Sequence, residues 1–330
     1  MKDRAKKTIL ASGALRLAAT AQGPSAAILM YHSVMPDPTA LADILGGIAH
    51  SEHEFRAQME LLSRDYHPAS LADVVKNLRS TQPLQKRTVV VTFDDGYSDN
   101  HEVAMPILNR LGIPATFYVT VDCVENRTLP WPSRLRFAFR NTTLTAWVDS
   151  HARSWTLADL PSRERVFLAT CDECCQLRGQ PQEEFVQRIE RELKTRVPGE
   201  SGSLMMNYDQ VRGLARHGHI VGSHTVTHPN MAYVKASEAS AEFTESKQRL
   251  EKELNLPVVH FAYPCPALSP HWNERTVEQS RAAGYESGVT TISGLTRRGD
   301  NPLSLKRMRP TKTAEGLRWN LESAFAGRAV

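Results

Sequence analysis

Residues 88–100 read TVVVTFDDGYSDN. Thr88–Phe93 is short, β-branched and apolar on both faces, the pattern of a strand buried on both sides of a parallel sheet. It runs directly into Asp94 and Asp95. In open and barrel-shaped α/β folds, functional groups gather at the carboxyl ends of strands. Two adjacent carboxylates there can approach one site from different angles, one holding a metal and the other free as a base. Read locally, the same DDG is a turn after a strand. The rest of the chain has to choose between these readings.

Similar short apolar runs recur at Ala26–His32, Ala115–Val121, His219–Ser223, Val258–Tyr263 and Tyr285–Thr291. Helical patterns lie between them. Phe55, Met59 and Leu62 share a face of Glu52–Arg64, and Leu71, Val74, Val75 and Leu78 follow on another helix. Val103, Ile107, Leu108 and Leu111 precede Gly112, with Pro106 marking a break or a fresh helix start. Later helices are expected at about Tyr208–His217, Ala236–Leu254 and Glu274–Ala283. Strands alternating with helices imply an α/β architecture with a parallel sheet. From about 123 to 203 the rhythm breaks, with no strand pattern but at least two helical ones, one carrying Phe185, Ile189 and Leu193. This reads as a helical insertion within a domain covering 23–330.

The chain of 330 residues, 41% hydrophobic, is long enough to bury a large core without covalent staples. Its 40 Lys+Arg and 36 Asp+Glu give a net charge of +4, with both signs mixed. No basic stripe with interleaved aromatics occurs, which argues against nucleic acid as a partner. Five cysteines exclude a complete disulfide framework. Val166, Leu168, Cys171, Cys174 and Cys175 fall on one helical face in RVFLATCDECCQL and read as small buried residues. The clustered thiols favour a reducing compartment. Residues 1–22 combine a basic start with a short apolar stretch interrupted by Arg16, which fits an amphipathic leader helix somewhat better than a signal peptide. No uninterrupted apolar run of about 18 residues occurs, so no membrane span is expected.

Three further motifs carry chemistry. GSHTVTHPNM places His224 and His228 four apart after a strand, a spacing that lets two imidazoles share one cation. Taken alone, the pair reads equally as two hydrogen-bonded histidines. Together with Asp95 it becomes a His-His-Asp set that leaves a coordination position open for water. FAYPCPAL runs a strand into Pro264, which favours extended backbone at Tyr263; the plain reading is a strand end. ILMYHSV puts His32 at a strand end, where a lone histidine is more often structural.

As an ordered set these motifs resemble the polysaccharide deacetylase family, carbohydrate esterase family four. The resemblance rests on Thr92–Gly96, Ser223–Pro229 and Phe261–Pro264, with AGY at Ala283–Tyr285, TTISG at Thr290–Gly294 and LKR at Leu305–Arg307. It spans about Ile28 to Arg309 apart from the insertion, and the early YHS is similar to the circularly permuted poly-N-acetylglucosamine deacetylase branch. The resemblance implies a distorted (β/α) barrel of about seven strands. It implies a divalent metal, zinc in most relatives, held by Asp95, His224 and His228. Asp94 would be the general base, His32 the general acid, the Tyr263 backbone N–H an oxyanion donor, and Arg307 the partner of the base carboxylate. The substrate would be an N-acetylated amino sugar in a polysaccharide or glycan precursor. Amide hydrolysis on a non-sugar substrate and a catalytically silent carbohydrate-binding protein are the alternatives. Peripheral membrane contact and a cytoplasmic or inner-membrane location suit such a precursor; the oligomeric state is open. The chain departs from the family where Cys265-Pro266 replaces the usual aromatic residue and glycine.

Overall fold

The computed structural model describes residues 2–80 and 84–328. Its frame is seven parallel strands: β1 (Ser25–Tyr31), β2 (Thr88–Phe93), β3 (Ala115–Val119), β4 (Ile220–Ser223), β5 (His260–Ala262), β6 (Ser287–Ser293) and β7 (Leu305–Arg307). They neighbour one another in chain order. Met30 donates to the Met308 carbonyl at 3.0 Å and Met308 to the Ile28 carbonyl at 2.8 Å, bringing the last strand back to the first. Thr296–Arg297 adds an antiparallel strand beside β1. The result is a nearly closed, distorted (β/α) barrel, as the family resemblance implied.

The burial pattern explains the closure. β1, β2 and β3 are buried along their whole length, because successive side chains alternate between the barrel interior and the surrounding helices. Ile28, Val90, Tyr118, Ala262, Val289 and Leu305 form one cluster with Leu71, Val74 and Val75. The helix Leu71–Arg79 thus closes the amino-terminal mouth, and Arg79 reaches the Glu286 carbonyl at 2.7 Å. The alternate residues, Phe93, Phe117 and Phe261 among them, pack outward under the helices. Ser51 and Ser70 cap the helices Glu52–Asp65 and Leu71–Arg79 through their hydroxyls. Pro106 stands in the first turn of Met105–Leu111, a fresh start after an irregular turn over Asn100–Ala104.

The structure corrects the sequence reading in several places. The insertion contains a β-hairpin, Ala146–Val148 with Ser154–Thr156, besides the helices Trp131–Asn141, Leu160–Cys174 and Gly179–Glu192. Its separate core joins Trp131, Phe139 and Trp147 to Cys171, Cys174 and Cys175. Burial pushes those thiols up, Cys175 to about 12, as expected of packing residues. Leu168 does not share that buried face; it is 53% exposed, and Phe167 packs inward instead. The leader is two helices, Lys2–Ser12 and Ala14–Thr20, separated at Gly13. Arg16 meets Glu322 of the last helix, Ala314–Phe325, at 3.5 Å. Among the described residues no helix is long and apolar enough to cross a membrane.

Candidate active site

The residues given catalytic or metal-binding roles from the sequence all lie at the carboxyl ends of barrel strands: His32 after β1, Asp94 and Asp95 after β2, His224 and His228 after β4, Tyr263 after β5, and Arg307 at the end of β7. A pocket of about 440 Å³ opens there, and His32, Asp94, Asp95, His224 and His228 line it.

Nε2 of His224 and Nε2 of His228 each lie 3.4 Å from the same oxygen, Oδ1 of Asp95. All three residues are buried. Donors at the edges of a tetrahedron around an ion with bonds of about 2.0–2.1 Å would stand about 3.3 Å apart, so the triangle fits a zinc-sized cation. The tautomer of His224 agrees. Its Nδ1 lies 2.8 Å from the Ala262 carbonyl, which can only accept, so Nδ1 carries the proton and Nε2 presents its lone pair. His228 Nδ1 is buried without a partner. Among the described residues this is the cluster whose donors converge tightly enough to hold a metal.

The backbone is bent to make this convergence. Asp95, Thr225 and His228 take positive φ values of 76°, 70° and 60°, a region that disfavours side chains with a Cβ, and branched ones most. The strain persists because the loop after β4 is held from several sides. The carboxylate of Glu242, on helix Ala236–Leu254, accepts from Val226 N at 2.6 Å, Thr227 N at 3.1 Å and Thr227 Oγ1 at 2.7 Å. Thr225 Oγ1 accepts from His228 N at 2.9 Å. The insertion contributes directly: Arg178 Nε donates to Glu242 at 2.9 Å, Trp131 Nε1 to the His228 carbonyl at 2.9 Å, and Asn230 N to the Cys175 carbonyl at 2.8 Å. The segment that broke the barrel rhythm is therefore the outer brace of the histidine loop.

Asp94 stands apart from the triangle in its partners. Arg307, 1% exposed, donates to both its carboxylate oxygens at 2.7 Å and also to Thr290 O and Thr92 Oγ1. Burial alone would raise the Asp94 pKa, but Arg307 and the nearby imidazoles outweigh it and hold the carboxyl below its ordinary range. His32 is held below the usual imidazole value, because burial outweighs the pull of Asp95 and Asp94. Asp94 is thus kept as an acceptor and His32 as a neutral, exchangeable group on the same pocket wall.

Tyr263 does not fill the place implied for it. Its N–H donates to the Val289 carbonyl at 3.0 Å, continuing the ladder between β5 and β6, and its hydroxyl turns to Ser280. The next N–H in the chain belongs to Cys265, since Pro264 has none. Cys265 lines the pocket, and its thiol contacts His271 Nε2 at 3.0 Å. Glu242 was missed from the sequence. It is one of five glutamates on a helix that looks solvated, and only its burial distinguishes it.

The family model for polysaccharide deacetylases matches residues 81–288. Among curated proteins, the Bacillus subtilis protein YxkH, provisionally named a polysaccharide deacetylase, is 20% identical over 290 residues, covering 88% of this chain and 72% of that one. Among solved structures, the Streptococcus pyogenes deacetylase PplD in complex with acetate is 21% identical with a TM-score of 0.60, covering 90% of this chain and 97% of that one. IcaB from Ammonifex degensii is 19% identical with a TM-score of 0.60, covering 92% and 99%. At such identities these two likenesses carry the fold.

Proposed function

The chain belongs to the polysaccharide deacetylase family, and we propose that it is a zinc-dependent hydrolase that removes N-acetyl groups from amino sugars of a polysaccharide or glycan precursor. One observation carries this reading: a buried Asp95/His224/His228 triangle of ion-binding dimensions lies in the same pocket as a second carboxylate, Asp94, that Arg307 clamps on both oxygens.

A bound zinc ion would supply Lewis-acid polarisation and a water of lowered pKa. The chain's own groups complete the hydrolysis of an amide, a poor electrophile with a poor leaving group. Asp94, held ionised by Arg307, accepts the proton of the attacking water at a carboxylate oxygen. Arg307 keeps that carboxylate in a fixed orientation through four hydrogen bonds, two of them to Asp94 itself. His32, neutral at rest, takes up a proton from the pocket and delivers it to the departing nitrogen. With the Tyr263 N–H committed to β6, the amide of Cys265, which lines the pocket and among the described residues donates no hydrogen bond, is left for a developing oxyanion.

The test is acetate release from N-acetylglucosamine oligomers by metal-stripped and zinc-restored protein. Acetate that returns with zinc supports the reading. Protein that binds zinc and releases none from any acetylated amino sugar contradicts it.

A further inference from the structure

The charges around the pocket do not cancel. Asp94 is matched by Arg307, Asp95 belongs to the metal triangle, and Arg136 is matched by Glu164 at 3.2 Å. Two pocket-lining cations remain, Arg309 and Lys312, on the segment that follows β7. Arg309 is exposed and, among the described residues, has no ion pair or hydrogen bond. Lys312 Nζ donates to the Gly47 carbonyl at 2.6 Å and to that of Ala49, without a carboxylate partner.

This segment is built rather than loose. The Thr311 carbonyl between the two cations accepts from Gln58 Nε2 at 2.7 Å, and Gln58 Oε1 accepts from Tyr31 O–H at 2.6 Å. Gln58 and Tyr31 are wholly buried.

A third group borders the same space. His50 lines the pocket, is 5% exposed, and neither of its ring nitrogens has a hydrogen-bond partner. Burial, with Lys312 adding to it, pushes its pKa down to about 4. The backbone carbonyls of Ile48 and Thr311 pull in the opposite direction without reaching hydrogen-bond geometry. The neutral ring offers one donor and one acceptor. A buried imidazole with both nitrogens unmet is destabilising, and a turn of the ring would bring one of them to a group in the pocket.

We propose that His50, Arg309 and Lys312 form a subsite for an anionic group, a phosphate ester or a carboxylate, carried by the substrate beside its acetylated amino sugar. Arg309 and Lys312 supply the charge, and His50, at the pocket wall, donates a hydrogen bond once its ring turns towards the anion. The proposal deepens the deacetylase reading and rests on it for the sugar, while the preference for an anion stands on binding alone.

Calorimetric titration of the full-length, zinc-loaded protein tests it with three ligands. These are N-acetylglucosamine 1-phosphate, an N-acetylglucosamine–glucuronate disaccharide and neutral diacetylchitobiose. The expected result is that at least one anionic ligand binds ~10-fold or more tightly than the neutral one, the scale of a charge-assisted hydrogen bond. The tighter arm names phosphate or carboxylate as the source. The preference shrinks in Arg309→Gln and Lys312→Gln and falls with added salt. Equal binding of all three ligands, or a preference that survives both substitutions because the metal alone holds the anion, overturns the subsite. His50→Phe is expected to weaken the anionic ligand while the free protein melts no lower than the parent; undiminished affinity removes His50 from the subsite. Acetate is measured on the same ligands. Acetate without anion preference overturns the subsite alone, and anion-selective binding without acetate supports the subsite and overturns the reaction.

Discussion

Glu242→Gln tests whether the histidine loop is held by a side chain outside any catalytic motif. Glu242 is fully buried and accepts three hydrogen bonds from Val226 and Thr227, besides the one from Arg178. A glutamine keeps the shape but presents an NH2 where one oxygen accepts, so at least one loop donor loses its partner and the charge facing Arg178 disappears. A lost hydrogen bond to a charged group costs about 1.5–3 kcal/mol, a large part of a typical stability of about 5–15 kcal/mol. The variant should therefore fold with a lowered urea midpoint. Because the loop carries His224 and His228, loosening it should also weaken zinc by about 10–100-fold, the usual effect of removing an outer support. Zinc affinity is read by competition with a chelating dye. Glu245→Gln is the control, since Glu245 also meets Arg178 at 3.1 Å but is 48% exposed; its effect should stay within about 1 kcal/mol. Unchanged zinc affinity in Glu242→Gln, or equal effects in both variants, would refute the bracing argument.

Three other predictions address separate parts of the molecule. Asp94→Asn should bind zinc as the parent does yet lose turnover by about 10²–10⁴-fold, whereas His228→Ala should lose the metal; equal zinc loss in both contradicts the division of roles. Arg134 is 5% exposed and pairs with Glu190, equally buried, at 2.9 Å. Removing it as Arg134→Met should cost about 3–5 kcal/mol by leaving a buried carboxylate unpaired, and adding Glu190→Leu should recover part of that in urea unfolding. His219 accepts from Ala115 N at Nδ1, and burial pushes its pKa down to about 4. The unfolded chain takes up that proton near pH 6.5 and the folded protein does not, so stability is present above about 6.5 and is lost as pH falls towards 4. His219 contributes a slope of up to about 1.4 kcal/mol per pH unit, and His219→Gln should remove that share while those of His50 and His260, also pushed down to about 4 by burial, remain.

What the sequence made legible was whatever is local in the chain. DDG and SHTVTH are contiguous, so their pocket residues were readable, and six short apolar runs, two of them ending in these motifs, marked six of the seven barrel strands. β7 escaped as a strand because Leu305–Arg307 is short and its central Lys306 is exposed. Arg307 reaches Asp94 because it stands at the strand end with its guanidinium turned into the barrel, whereas Arg309, two residues on, emerges at the rim. The hairpin of the insertion was hidden by the polar, charged DSHAR turn between its two tryptophan-bearing strands. Glu242 and His50 matter through burial and through unmet or converging hydrogen bonds, quantities that no residue spacing encodes.

The central claim is that one zinc ion on Asp95, His224 and His228 makes this pocket a deacetylase. The most direct measurement titrates zinc back into stripped protein while recording bound metal per chain and acetate released from an N-acetylated amino-sugar oligomer. The account predicts turnover that rises with bound zinc and levels off at about one ion per chain, the capacity of a three-residue site with an open position. Acetate release from the fully stripped protein, or a zinc-saturated protein that releases none, would contradict it.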